Sequence, residues 1–437
     1  MNKLYIFLCG LLFTTACTND LDQFPENLAA ADTLTDYEPV LNAAYYYQIG
    51  SVTPMAVMGD FRADNALMIE PPFTEFDEFD GDLVVMEDQF FGPFYTALYK
   101  SILSANNVIE NSDDATEVGE AKFLRALSYF KLVRAFGDAT INTSAQPDFN
   151  DLESFGRSPE SEVYDNVIIP DLEDAIAALD NETRNGRATR IAARGMLGKV
   201  HMQRGNTGRA EPVLAEVIAN ADDAGVMLQE NYADIFGVTN DLNPEIMFAT
   251  QISSSIVDEY DFSEFWSWYG GLDTKSLEPL DPDLVEAFDE SPGDLRREVV
   301  IDTALMASPK YPQSGGPDHD WIELRYADIL LLYAEALNEN GTDAATVLDV
   351  LDPIRTRAGL EPLDEGAFDS SDDIAEAIQD ERRLELAFEG QRWFDLVRTG
   401  TVNEEMGQDI NSNYYIFPIP NSEVLSSFGS IEQNPGY

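Results

Sequence analysis

Acidic residues outnumber basic ones 81 to 26 in this chain, for a formal net charge of −55. A chain with so large a like-charge excess repels itself and folds only where apolar burial exceeds the repulsion. Forty-four per cent of the 437 residues are hydrophobic and 11% are aromatic. That supports a large core and separates the chain from disordered acidic tails, which lack hydrophobic content. The same field excludes nucleic acid as a direct partner, because no Lys/Arg cluster is present to release counterions from phosphates. Anionic membrane surfaces are disfavoured for the same reason. Seven Lys against 19 Arg, amid abundant Asp and Glu, fit a surface adapted to high salt, where screening makes the charge tolerable.

The amino terminus reads as an export signal. Lys3 supplies a positive start, residues 4–13 (LYIFLCGLLF) form a short apolar stretch, and Thr14, Thr15 and Ala16 precede Cys17. A bilayer-spanning helix needs about 20 apolar residues, so this segment is too short to be one. Small residues before a cysteine match a bacterial lipobox, with Thr14 where leucine is usual. Cys17 is therefore the expected lipidation site. The only other cysteine, Cys9, falls inside the signal, which leaves the mature chain without a disulfide and dependent on its core. The expected division is a signal over 1–16, a lipidated tether over 17–31, and a body from 32 onward.

The body has mainly helical spacing. Residues 36–50, 94–109, 117–136, 161–179 and 190–204 are predicted helices, and Gly137 is a stop for the third. Residues 69–93 read as an aromatic, acidic, turn-rich loop, and 138–159 as a linker. Leu197, Gly198, His201, Gly205, Ala210 and Leu214 stand at the spacing of a tetratricopeptide helix–turn–helix; Tyr333, Ala334, Leu337, Gly341, Ala345 and Val350 give a looser second copy. Simple amphipathic packing explains the same spacing equally well. Residues 240–317 break into short β-like runs and loops, helices are expected at 321–338, 343–357 and 372–398, and the tail from 414 is irregular.

Catalytic signals are sparse. Of the two histidines, His201 falls on a packing position of the repeat, and no His/Cys cluster suggests a metal. The stretch Glu78, Asp80, Gly81, Leu83, Glu87 has part of a calcium-loop spacing, but Phe76 stands at its first ligand position. Paired carboxylates, which glycoside hydrolysis requires, carry no specificity among 81 acids. No catalytic motif, cofactor or metal is expected. Loop aromatics among acidic residues suit sugars, whose apolar faces stack on rings while their hydroxyls need polar partners. Trp266, Trp268, Tyr269 and Trp321 are the first candidates for ligand binding; Phe76 and Phe79 are the second. From residue type alone, sugar stacking and the plugging of a local core stay equally open.

Several motifs then occur in a fixed order: LDQFPEN (21–27), MGDFRADN (58–65), FYTALYKSILSANNVIE (94–110), EAKFLRALSYFKLVRAFGDA (120–139), NPEIMFA (243–249), LRYADILLLYAEALNENG (324–341), ERRLELAFEGQRWFDLVRTG (381–400) and YIFPIPNSEV…QNPGY at the end. With the lipobox in front, the chain resembles the SusD/RagB family of outer-membrane nutrient-uptake lipoproteins. The resemblance implies a mainly α fold: a tetratricopeptide-like helical scaffold with an irregular, loop-rich, minor-β ligand-binding region. It divides the body into an N-terminal SusD-like helical part (32–239) and a C-terminal RagB/SusD part (240–437). It also implies a lipid-anchored protein on the outer face of the outer membrane, partnered by a SusC-like TonB-dependent transporter, that captures oligosaccharides without cleaving them. A peptide-binding lid of a RagAB-like transporter and a tetratricopeptide-type interaction scaffold are the alternatives. The hallmark residues Leu384, Leu386, Ala387, Trp393, Phe394 and Val397 read as one buried helix face. Arg382, Arg383, Arg392 and Arg398 are expected to pair with Glu381, Glu385, Glu389 or Asp395.

Overall fold

A computed structural model describes residues 34–437 apart from positions 70 and 72 and the stretches 148–154, 183–185, 254–279 and 312–317. Its frame is a run of helices, each packed on the next. The helices of eight residues or more are α1 (Glu38–Tyr47), α2 (Gly92–Asn111), α3 (Ala115–Phe136), α4 (Ile169–Ala178), α5 (Arg190–Gln203), α6 (Thr207–Asn220), α7 (Pro282–Asp289), α8 (Tyr326–Glu339), α9 (Ala344–Arg357), α10 (Ser371–Leu386) and α11 (Arg392–Thr399). The contacts pass from α1 to α2, α3, α4, α5 and α6, then across to α8, which also carries α9 and α10.

Local chemistry fixes the ends of these helices. The Asp114 carboxylate accepts the Thr116 amide at 2.7 Å and the Glu117 amide at 3.3 Å, capping α3. Gly137, at φ 71°, ends it in a backbone conformation that glycine adopts without strain. Ser370 and Asp373 form a reciprocal capping box on α10. In the first repeat, α5 and α6 approach so closely that a Cβ on Gly198 would run into the Leu214 side chain. Here the tetratricopeptide spacing has a steric cause. His201, buried on the same helix, has its imidazole pushed down to about 4 by burial and by the nearby Arg209 and Arg204 charges, so it is a neutral core residue.

Three expectations need correction. Residues 321–325 are a strand, not the start of a helix: β2 (Trp321–Arg325) pairs antiparallel with β1 (Ile246–Thr250), Trp321 opposite Thr250 and Arg325 opposite Ile246. All five β2 residues, Glu323 and Arg325 included, are buried, and a short strand covered on both faces has no period that separates it from the helix it leads into. The expected helix over 372–398 is two, α10 and α11. They are divided by a turn in which Phe388 (φ 63°) and Gly390 (φ 68°) are left-handed. The aromatic stretch 69–93 contains short helical turns at Phe73–Glu78, Val84–Met86 and Glu87–Phe91 rather than open loop.

Replacing Gly198 by Ala should lower stability by about 1–3 kcal/mol through overpacking against Leu214, despite alanine's better helix propensity. Urea denaturation checks this; a neutral or stabilising result would show that Leu214 yields at no cost.

Candidate ligand-binding face

A buried ion network joins the β1–β2 sheet, α9 and the end of α10. The Arg325 guanidinium, at the end of β2, donates to Glu245 Oε1 at 2.9 Å, Glu385 Oε1 at 2.6 Å and Glu389 Oε2 at 2.8 Å. Arg296 bonds Asp294, Glu381 at 2.6 Å and Glu385 at 3.0 Å. Arg357 bonds Glu245 at 2.6 Å and also reaches Glu385, while Lys310 donates to Glu389 Oε1 and to the Ala387 carbonyl, both at 2.6 Å. With Arg355 on Glu381, five cations meet five carboxylates. Burial alone would raise Glu385, but the Arg357, Arg325 and Arg296 charges outweigh it and hold the carboxyl far below the usual range. Glu389 is lowered in the same sense by Arg325 and Lys310.

The network holds the turn between α10 and α11, and a second partner grips that turn from the N-terminal part. Buried Asp60 accepts the Gly390 amide at 2.7 Å, the Phe388 amide at 3.3 Å and Asn65 Nδ2 at 3.1 Å. A Cβ on Gly59 would collide with the Gly390 carbonyl, and one on Gly390 would lie 2.9 Å from Trp321 Cζ2. Motifs 58–65 and 381–400, far apart in sequence, thus meet backbone to backbone.

This packing corrects three candidates. Trp321, Phe76 and Phe79 are buried and offer no ring face to a ligand. Trp321 packs over Gly390. Phe76 and Phe79, with Trp393 and Phe417, surround the fully buried Arg62, whose guanidinium carbon lies 4.8 Å and 4.1 Å from the two Phe centroids. Arg62 also donates to the carbonyls of Phe76 and, at 3.3 Å, Tyr414. Burial lowers it to about 10, with nearby acidic groups opposing. Trp266, Trp268, Tyr269 and Cys17 lie outside the described residues. Sequence reasoning missed Asp60 and Arg62, although a carboxylate and a guanidinium inside the apolar run of MGDF and its continuation were a usable signal.

The expected pairings of the hallmark arginines changed too. Arg382 and Arg398 do reach Asp395, at 3.0 and 2.8 Å, but Arg382 also bonds Asp328, and Arg383 and Arg392 both pair with Asp64 across the molecule. Glu381, Glu385 and Glu389 serve the network described above.

Around this base the chain leaves and re-enters the described structure at hydrogen-bonded points. The Ile252 amide donates to Asp320 Oδ1 at 2.8 Å just before residue 254, and the Asp281 amide donates to the Asn65 carbonyl at 3.0 Å just after residue 279. Asp77 accepts the Met68 amide at 3.3 Å. Burial pushes Asp77 and Asp320 up to about 7 and Asp60 and Asp281 up to about 6. Their bonds to backbone amides give these carboxylates an anchoring task. Among the described residues, no group of His, Cys, Asp or Glu could hold a metal ion.

Comparison with known proteins places this architecture. The SusD family model matches residues 297–437, and the model described as "Starch-binding associating with outer membrane" matches residues 20–202. SusD-like protein P2 of Formosa agariphila is 25% identical, with all of each chain aligned. A SusD-like protein of Bacteroides ovatus is 27% identical over 91% of this chain and 82% of that protein. A SusD superfamily structure from Parabacteroides distasonis superposes with a TM-score of 0.77 at 22% identity, covering 94% of this chain and all of the other. A laminarin-binding SusD-like protein gives 0.70 at 23%, covering 92% and 99%. The chain belongs to the SusD/RagB family.

Two measurements test this site. Glu385→Gln should cost about 3–5 kcal/mol, since it leaves buried guanidinium charge unpaired; a loss under 1 kcal/mol in urea denaturation would show the network to be dispensable. The pH dependence has two limbs. The depressed carboxyls Glu385 and Glu389 contribute stability that is lost as pH falls through the acid range. The raised carboxyls Asp60, Asp77 and Asp320 bind protons more tightly folded than unfolded, so stability also declines as pH rises from about 4 to about 7. Thermal melts should therefore peak near pH ~4, and Asp77→Asn with Asp320→Asn should flatten the upper limb. A Tm that climbs steadily from pH ~5 to ~8 contradicts that placement.

Proposed function

We propose that this chain is a surface-exposed outer-membrane lipoprotein, anchored through Cys17, that binds oligosaccharides or polysaccharides and delivers them to a SusC-like TonB-dependent transporter. The reading is carried by one observation: the family's motifs build an ion-paired base, and the aromatic-rich sequence 254–279 falls in chain order between two hydrogen-bonded points on it, Ile252 and Asp281. Trp266, Trp268 and Tyr269 in that segment are the proposed stacking platform. The laminarin-binding relative supports a glycan as the ligand class. The role is capture and gating without bond cleavage. Among the described residues no helix is long and apolar enough to cross a membrane, in keeping with attachment by lipid.

The test is a polysaccharide affinity-gel screen of the soluble protein at low and high salt, followed by Trp266→Ala, Trp268→Ala and Tyr269→Ala. Each should weaken the glycan found by at least about tenfold, about 1.4 kcal/mol, with unchanged melting. Trp321→Ala should instead lose about 3–5 kcal/mol of stability, because its ring is core. Unchanged affinity in all three platform variants removes the platform. A folded protein that binds peptides and no glycan would turn the ligand assignment to peptide.

A further inference from the structure

A cleft of ≈ 730 Å³ opens between the turn preceding α5 and the free side of β1. Asn181, Glu182 and Arg187 form one wall, and Leu242 stands on the other. Ile191, Val226, Ile246 and Phe248 supply an apolar floor. Asp223 and Asn243 add polar groups to the lining, and exposed apolar side chains stand at and beside its edge. Leu242 is 41% exposed in a left-handed backbone (φ 58°), and neighbouring Met227, whose amide donates to the Pro244 carbonyl at 3.1 Å, is 48% exposed. Among the described residues β1 pairs only with β2, so its other edge has no strand beside it.

We propose that this cleft is the seat of the chain's own tether, residues 21–28, with Leu21, Phe24 and Leu28 against the apolar floor. The course of the chain carries the assignment. Helix α1, the first element after the tether, leans on the cleft wall. Arg187 bonds Asn42 and Glu120 (3.1 Å) with Glu38 3.7 Å away, and the Ala188 amide donates to the Tyr45 hydroxyl at 3.0 Å. The described chain thus begins about one helical turn from that wall. The chain between Cys17 and the first described residue, 18–33, extended at ~3.3 Å per residue, spans about 50 Å, enough to lie along the whole cleft. Its three large apolar side chains would otherwise face water on a polar leash. A seated tether shortens the link between Cys17 and the body; an unseated one lengthens it. Only this consequence rests on the lipid anchor, and the docking is independent of any glycan.

The experiment uses the full mature chain with Cys17→Ser, which contains no other thiol after the signal. Hydrogen exchange at residues 223–226 and 242–249 is compared with that of the Leu21→Asp, Phe24→Asp, Leu28→Asp triple variant. These substitutions change none of the described core residues. Exchange at those two stretches should speed up several-fold in the variant, with α3 and α8 unchanged. In parallel, Phe24→Cys paired with Leu242→Cys should form a disulfide under mild oxidation much faster than Phe24→Cys paired with Leu425→Cys, a reference position that is 78% exposed. Equal exchange in the two chains, or equal cross-linking of the two pairs, overturns the proposal.

Discussion

Arg325 is the residue on which most of the C-terminal part depends. It stands where β2 becomes α8, so one guanidinium joins the sheet, the start of α8 and, through Glu385 and Glu389, the end of α10 and the turn between α10 and α11. Burying a lone cation there would be prohibitive, and the structure surrounds it with a balanced set of five cations and five carboxylates. Such a network adds little net stability over an apolar core of the same shape. It does penalise wrong arrangements heavily, because any shift strands a buried charge. Beside it, Lys199, Asp328, Arg382, Asp395 and Arg398 tie α5, α8, α10 and α11 by the same logic.

This interior has a consequence outside. Among the described residues, eleven basic side chains are buried against thirteen acidic ones, although acidic residues outnumber basic ones 81 to 26 in the chain. Cations are therefore buried out of proportion to their number, and the described surface is more one-sided than the composition suggests. Dissolved cations must balance that excess, so the fold is suited to ionic solution and the face it offers any partner is acidic.

Much of the scaffold was legible in the sequence because its causes are local. The apolar period of α3 and its Gly137 stop, or the Gly198–Leu214 fit in α5 and α6, involve neighbours within one helical hairpin. What sequence could not give is direction. Trp321, Phe76 and Phe79 are the residue types a sugar site needs, and nothing local tells whether such a ring faces water or Arg62. The same limit misassigned the ion pairs: Glu385 has Arg382 within one turn of its own helix, yet its charge is met by Arg325, 60 residues away, and by Arg357 and Arg296. Long-range pairing is decided by which helices the core brings together, and the spacing of charges along one helix carries no record of that.

On the proposed reading, the motifs build the base and not the ligand segment, so they identify the family but not its ligand. Asp60 binds two backbone amides of the left-handed turn at Phe388–Gly390, and Gly59 meets Gly390 with no room for a side chain. A contact made of backbone, glycine and a buried carboxylate tolerates few substitutions, whatever the protein binds. Residues 254–279 carry none of these motifs and none of the residues of the Arg325 network. Substitutions within them leave every partner in that network in place, so on the proposed reading specificity can diverge while the base keeps its sequence.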